Sequence, residues 1–321
     1  MSKRRINKQQ HARIEKIQQA YHENKDHHDD LVDGLVITRF SRHVEVEDTH
    51  GKIIRCSIRP NLETLVAGDR IIWQREGANH GVVVSLYPRK SVLAKPTNVG
   101  TAKPVAANIT QLIIVIASRP EISWPLLDSY LAMAELLHLH AVIVLNKTDL
   151  PCKLQKEQLQ TAYQNLGYPI LLINQESLES SLLLKKVLNH QVSVFVGQSG
   201  VGKSSLISQI LPHEENILTG ALSDISELGK HTTSNSRYYH LPSGGALIDS
   251  PGVREFSLWH LNAAEIARGY IEFRPYLSQC KFRNCTHKDT PHCAIINAVD
   301  IGLIARSRYE NFIKLCAQYT K

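Results

Sequence analysis

Two short segments of this 321-residue chain carry residue types and spacings suited to holding a nucleotide. Gly197-Gln198-Ser199-Gly200-Val201-Gly202-Lys203-Ser204 has the spacing G-x-x-x-x-G-K-[ST]. Its glycines let successive backbone N–H groups and a helix N-terminus approach a phosphate closely. Lys203 supplies a charge for the β- and γ-phosphates, Ser204 a hydroxyl for Mg²⁺, and Ser205 continues the same helix start. Some fifty residues earlier stands Asn146-Lys147-Thr148-Asp149. The Asp149 carboxylate suits the N1–H and 2-amino donors of guanine, Asn146 the other edge of the base, and the Lys147 stem a ring face. Adenine would leave a buried carboxylate unpaired, so such a site selects for guanine.

Two further segments fit the same chemistry. Asp249-Ser250-Pro251-Gly252 matches D-x-x-G, with Asp249 placed to hold Mg²⁺ through a water and the Gly252 amide to sense a γ-phosphate. Upstream, Gly229-Lys230-His231-Thr232-Thr233 offers switch hydroxyls, Thr233 in preference to Thr232, for the same cation. Val253 follows Gly252 and has no side chain that orients an attacking water. That task falls to His231 or to a group from a partner, or the site is slow by design. Feeble hydrolysis alone and stimulation by a partner are the expectation. The base reader precedes the phosphate loop, the reverse of the usual order, which points to a GTP-binding domain whose chain is circularly permuted.

Cys280-x4-Cys285-x-His287-x5-Cys293 supplies three thiolates and an imidazole within fourteen residues. This donor set matches a closed tetrahedral structural Zn²⁺ site with no position left for catalysis. His292 is the rival to His287. The surrounding region is too small for a large apolar core, so metal is expected to contribute to its folding.

The elements around these motifs follow from patterning. Short β-rich runs at Gly34–Phe40, Val44–Glu47, Lys52–Ile58, Arg70–Arg75 and Val82–Leu86 suit a small closed barrel, an OB-fold in preference to an SH3-like one. Residues 89–107, with Pro88, Pro96 and Pro104 in and around them, read as a linker. Gln111–Ala117, Ala141–Leu145, Ile170–Ile173 and Val192–Val196 are apolar strands alternating with helical segments, which makes an α/β wound domain with its motifs at strand C-termini. Residues 262–279 read as helical, and a last helix carries Ile304, Tyr309, Phe312, Ile313 and Cys316. The fold class is therefore multidomain α/β: a basic tail over 1–30 without apolar periodicity, a barrel over 31–95, a permuted GTPase domain over 96–258 and a zinc-binding helical domain over 259–321.

Thirty-seven basic against 30 acidic residues leave a net charge of +7, consistent with a nucleic-acid partner but equally with a solvated basic surface. No apolar run reaches the ~18 residues of a membrane helix, and the N-terminus lacks the apolar stretch of a secretory signal. No membrane partner and a cytoplasmic location are expected. Six cysteines in such a chain argue against a disulfide framework.

With NKTD at 146–149, GQSGVGKS at 197–204, GKHTT at 229–233, DSPG at 249–252 and CKFRNCTH…C at 280–293, the chain resembles the circularly permuted ribosome-assembly GTPases of the RsgA (YjeQ) family over roughly residues 34–319. The resemblance implies an N-terminal OB-fold, a permuted GTPase and a C-terminal zinc domain. It also implies late maturation of the small (30S) ribosomal subunit, with GTP hydrolysis to GDP stimulated by that subunit; 16S rRNA is the expected RNA partner and a monomer the expected state. One departure stands out: where the family supplies a Ser-Ala backbone contact to guanine, this chain reads Ile173-Asn174-Gln175. Two other classes of function fit the same motifs, a binding factor whose affinity GTP tunes and a GTP-driven metal-delivery protein.

Overall fold

The computed structural model describes residues 30–60, 62–77, 79–96, 102–174, 177–212, 236–249, 258 and 261–319, together with Gln19 and Glu23. Apart from these last two and Asp30, the basic tail lies outside the described residues.

Strands β1 (Leu31–Arg39), β2 (His43–Asp48), β3 (Ile53–Ile58), β4 (Arg70–Arg75) and β5 (His80–Leu86) run in the order β1-β2-β3-β5-β4, and β4 pairs back onto β1 to close a barrel. The alternation read from sequence is the reason. Along β2 every second residue (Val44, Val46, Asp48) is buried, and Val36, Ile54, Cys56, Ile71, Trp73 and Val83 complete the barrel core. With β3 and β5 parallel and the other pairs antiparallel, this is the OB-fold order.

Residues 89–107 are not a plain linker. Val92–Pro96 (β6) and Ala102–Ala107 (β7) pair as an antiparallel hairpin with Leu93 and Ala106 fully buried. Pro104 sits in a two-stranded ribbon where an outer edge needs no N–H from it. The hairpin touches the barrel through an Ala67↔Ala106 bridge and the Ala107 N–H, which donates to the Ala67 carbonyl at 3.0 Å.

The second domain is built on β8 (Gln111–Ala117), β9 (His140–Asn146), β10 (Ile170–Leu172), β11 (Val192–Val196), β12 (Arg237–His240) and β13 (Ala246–Asp249), in the order β10-β9-β8-β11-β13-β12. All neighbours are parallel except β12–β13. Along β8 all seven residues are buried, and they divide between two layers. Leu112, Ile114 and Ile116 face α1 (Trp124–Leu136), α2 (Lys153–Ala162) and the C-terminal helices, while Ile113, Val115 and Ala117 face α3 (Leu178–Leu188) and α4 (Lys203–Ile210). Strand β12 also meets the barrel, through the Thr38↔Arg237 pairing and the Thr38 hydroxyl, which donates to the Ser236 carbonyl at 2.9 Å.

The helical stretch expected over 262–279 divides into α5 (Ala263–Arg268), capped by Asn262 and Glu265, and a 3-10 turn over Ile271–Gln279 containing Pro275. Proline cannot donate within a regular helix, which favours the tighter, irregular winding. After these come α6 (Ala294–Asp300) and α7 (Arg306–Tyr319). The C-terminal unit shares its core with the second domain: Ile266, Tyr270, Phe273, Ile295, Phe312 and Leu315 join one apolar cluster with Leu112, Ile114 and Leu131.

Candidate nucleotide site and candidate metal centre

Strands β8 and β11 lie side by side, and the chain leaves β8 toward β9 on one flank and β11 toward β13 on the other. Such a reversal of strand order opens a crevice at the C-terminal ends of the strands. The Gly197–Ser204 loop leaves β11 at that edge, residues 118–123 leave β8 beside it, and Asn146–Asp149 closes β9.

The phosphate loop has the local geometry its sequence demands. Gly197 has φ of 137°, and a β-carbon there would stand 2.1 Å from the Val115 carbonyl oxygen, so only glycine fits. Lys203 opens α4 and is buried; its ammonium donates to the carbonyls of Gly197 (2.8 Å) and Gln198. The charge therefore sits in the bowl of the loop, against the N-terminus of α4. Ser204 is half-buried in the first turn, and Ser199 and Ser205 are exposed.

The candidate base reader is bonded directly to this loop. Asn146 is fully buried and donates from Nδ2 to the Val201 carbonyl at 2.9 Å. Its Oδ1 has no hydrogen-bond partner among the described residues, an acceptor that burial makes costly to leave unused. Lys147 adopts a left-handed φ of 57°, and its ammonium bonds to the Gly200 (2.6 Å) and Arg119 (3.1 Å) carbonyls. The Thr148 N–H donates to the Ile173 carbonyl at 3.1 Å, so the β9 and β10 ends are tied together, and Asp149 stays exposed at the rim. In the divergent Ile173-Asn174-Gln175 loop, the Ile173 N–H is taken by the Leu145 carbonyl at 2.8 Å and the Asn174 N–H by the Ser180 hydroxyl at 3.2 Å. Gln175 lies outside the described residues.

Asp249 ends β13, half-buried and paired in register with Arg237. Ser250, Pro251, Gly252 and Val253 lie outside the described residues, as does Gly229–Thr233 with His231, Thr232 and Thr233.

Cys280, Cys285, His287 and Cys293 present four ligand atoms all within 4.8 Å of one another. Cys280 Sγ lies 3.5 Å from His287 Nδ1 and 3.9 Å from Cys293 Sγ, and Cys293 Sγ lies 3.5 Å from the same Nδ1. A tetrahedral Zn²⁺ with Zn–S near 2.3 Å has S···S edges of about 3.8 Å and S···N edges of about 3.6 Å, so the donor set fits that cation. His292 stands outside the group. Burial lowers the pKa of His287, favouring the neutral imidazole that ligates metal, and pushes the Cys293 thiol up to about 12. The Tyr309 hydroxyl of α7 donates to the His287 carbonyl at 2.9 Å and fixes the turn.

Two features escaped the reading of the sequence. The Gln198 carboxamide clamps the phosphate loop to the β8–α1 loop: Oε1 accepts from the Ser123 N–H at 2.9 Å, and Nε2 donates to the Glu121 carbonyl at 3.1 Å. Nothing in the motif singles this side chain out, because its position is an unrestricted x. The second is a buried ionic cluster. Asp128 of α1 is fully buried and accepts from Arg308 Nη1, from Asn311 Nδ2 at 2.8 Å and from the Tyr163 hydroxyl at 2.9 Å. Arg308, 1 % exposed, also grips Glu272 from Nε at 2.7 Å and stacks over the Tyr270 and Tyr163 rings. Burial opposes the Arg308 charge, but Asp128 and Glu272 outweigh it and hold the guanidinium pKa well above its ordinary value. A lone aspartate in the apolar stretch Leu126–Leu139 was the available signal.

The model of the family described as RsgA GTPase matches residues 86–259. Small ribosomal subunit biogenesis GTPase RsgA of Actinobacillus pleuropneumoniae serotype 5b (strain L20) is 45% identical over 98% of this chain and 95% of its own length. The protein of that name from Sodalis glossinidius (strain morsitans) is 43% identical over 98% and 96%. Among solved structures, YjeQ from Thermotoga maritima superposes with a TM-score of 0.74 at 32% identity, covering 90% of this chain and 99% of that one. YloQ, described as a circularly permuted GTPase, gives 0.71 at 24% identity over 92% and 96%, a likeness of fold.

Proposed function

The chain belongs to the RsgA family of GTPases, and from that premise we propose that it binds the small (30S) ribosomal subunit and its 16S rRNA as a late assembly factor, hydrolysing GTP to GDP and phosphate when the subunit stimulates it. The observation that supports the nucleotide reading is the direct bonding of Asn146 and Lys147 to Val201 and Gly200, which sets the candidate base reader against the candidate phosphate loop. The names of the relatives support the ribosomal partner, and the net charge of +7 and the OB-fold barrel suit an RNA surface.

In this reading Asp149 pairs with the guanine N1–H and 2-amino groups, Asn146 Oδ1 serves the opposite edge, and the Lys147 stem covers a ring face. Gly197, Gln198, Ser199, Gly200, Val201, Gly202, Lys203, Ser204 and Ser205 enclose the phosphates. Lys203 neutralises charge that builds on the phosphate oxygens, Thr233 serves the same step, and His231 orients the attacking water in place of the glutamine that Val253 excludes. Ser204, Thr233 and Asp249 would offer the hard oxygen donors that Mg²⁺ prefers, and the cation would supply neutralisation of phosphate charge. Gly252 reports the γ-phosphate. Zn²⁺ at Cys280, Cys285, His287 and Cys293 is structural. We assign the working boundaries 31–95, 96–258 and 259–321, a monomeric state and a cytoplasmic location; no helix among the described residues is long and apolar enough to cross a membrane.

GTP turnover measured with and without purified small ribosomal subunits tests the proposal, with Lys203→Ala as the inactive control. Stimulation of the native chain and none of the variant is expected. Equal native rates with and without subunits would overturn it.

A further inference from the structure

Helix α1 is anchored at two points five residues apart, about 7.5 Å along its axis. At its start the N-cap residue Ser123 makes no side-chain capping bond. Its backbone N–H is instead taken by Gln198 of the phosphate loop at 2.9 Å, and the same side chain holds the Glu121 carbonyl at 3.1 Å. One turn further on, Asp128 is gripped by Arg308 and Asn311 of α7 and by Tyr163. Gly269, which closes α5, lies so near the helix that a β-carbon there would stand 2.7 Å from Ala132 Cβ and 2.8 Å from the Ala132 carbonyl oxygen. A helix so short between its anchors does not bend, and a buried, fully paired cluster does not slide.

We propose that α1 is a rigid connector through which the docking of the C-terminal unit sets nucleotide affinity, with Gln198 as the positioning residue at the joint. This rests on the nucleotide site proposed above. The phosphate loop must keep its N–H groups converged on the ligand, and each fixed neighbour lowers the entropy lost on binding. Loosening the grip of α7 on Asp128 frees the start of α1, and through the Gln198 carboxamide it frees the loop. Without that carboxamide the loosening reaches the loop only through packing, such as that of Tyr130 of α1 beside Gly197, and is felt less. A partner that grasps the zinc-bearing unit would accordingly alter how tightly GDP is held, although it touches no nucleotide.

A double-mutant cycle in the full chain tests this. The dissociation constant of N-methylanthraniloyl-GDP is measured for the native chain, Gln198→Ala, Asn311→Ala and the double variant, with melting temperatures in parallel. Asn311→Ala should weaken binding at least about 3-fold in the native background and less than about 1.5-fold beside Gln198→Ala, the gap being the coupling that a cycle isolates. Should Asn311→Ala fail to fold, Tyr163→Phe, which removes one hydroxyl from Asp128, replaces it in the same cycle. Equal fold-changes in the two backgrounds, or no change in either, overturn the connector. Lys203→Ala separates the two readings: if it binds the nucleotide as the native chain does, the site itself is misassigned, whereas loss of binding with an additive cycle refutes the connector alone.

Discussion

Arg308→Ala is the substitution on which the C-terminal architecture turns. In the native chain the guanidinium meets two carboxylates and lies between two aromatic rings, with its centre 4.5 Å from the Tyr270 ring centroid and 5.1 Å from that of Tyr163. Removing it leaves Asp128 fully buried with only two neutral donors, Asn311 and Tyr163. Uncompensated buried charges of this kind cost about 3–5 kcal/mol. For a unit of 150–250 residues each kcal/mol is worth roughly 2–4 °C, so the apparent melting temperature should fall by about 6–20 °C. Arg308→Met keeps most of the packing and should lose nearly as much, because the charge and not the volume is what Asp128 needs. The triple variant Asp128→Asn, Glu272→Gln, Arg308→Met removes all three charges together but leaves an amide oxygen for Asn311 and Tyr163, and it should recover most of the loss, since removing a buried ion pair whole costs far less than leaving one of its charges behind. Scanning calorimetry, with hydrogen exchange of the α7 segment to locate the change, is the assay. A loss below about 1 kcal/mol for Arg308→Ala, or a triple variant as unstable as the single one, would refute the reasoning, because neither fits a buried charge left without its partner.

The remaining expectations are more local. Asp149→Asn should move preference from guanosine to xanthosine triphosphate, measured as competing affinities; unchanged selectivity removes the base-reading assignment. Gly197→Ala should abolish nucleotide binding, since the new methyl would stand 2.1 Å from the Val115 carbonyl; calorimetric titration that still detects GDP at native affinity contradicts the geometry. Stripping metal with a chelator should raise hydrogen exchange across residues 280–293 while α7 stays protected, because Phe312 and Leu315 belong to the core shared with Ile114 and Leu131. Loss of protection throughout α7 would show instead that metal holds up the whole unit, and release of metal without any local opening would favour a cargo site.

What the sequence disclosed, and what it hid, follows from the range of the interactions. Strand β2 was legible because its period-two pattern is local, and β8 because burial on both faces leaves an unbroken apolar run. The motif residues Gly197–Ser204 and Asn146–Asp149 were legible because their chemistry lies within a few consecutive positions. The hairpin β6–β7 was not: its prolines mimic a linker, and its burial depends on Ala67 in the barrel. The Asp128–Arg308 pair was hidden as well, for its partners lie 180 residues apart and neither has a local signature. The Gln198 clamp reaches 75 residues back to Ser123 through a position that the phosphate-loop pattern leaves open.

Permutation gives these long-range contacts a common consequence. Strand β12 follows the segment that carries Thr233 and precedes the one that carries Gly252, so it lies between the two candidate switch segments. Its inner edge pairs with β13 over four residues, and its outer edge meets β1 at Thr38, with Arg237 reaching Glu45 at 3.2 Å and His240 reaching Glu47 at 2.6 Å. Strand β1 is closed into the barrel by β2 and β4. A displacement of β12 therefore either carries the barrel with it or breaks those contacts. On the opposite flank, α1 links the candidate phosphate loop to the C-terminal unit. The barrel and the C-terminal unit are thus attached beside the candidate switch and phosphate-loop segments, one through a strand edge and one through a buried salt bridge. An exposed pair such as Arg237–Glu45 contributes about 0–1 kcal/mol, whereas breaking the Asp128–Arg308 pair costs several times that. The ion pair at the barrel joint is consequently the weaker of the two, and on the connector proposed above the C-terminal joint is the one that transmits.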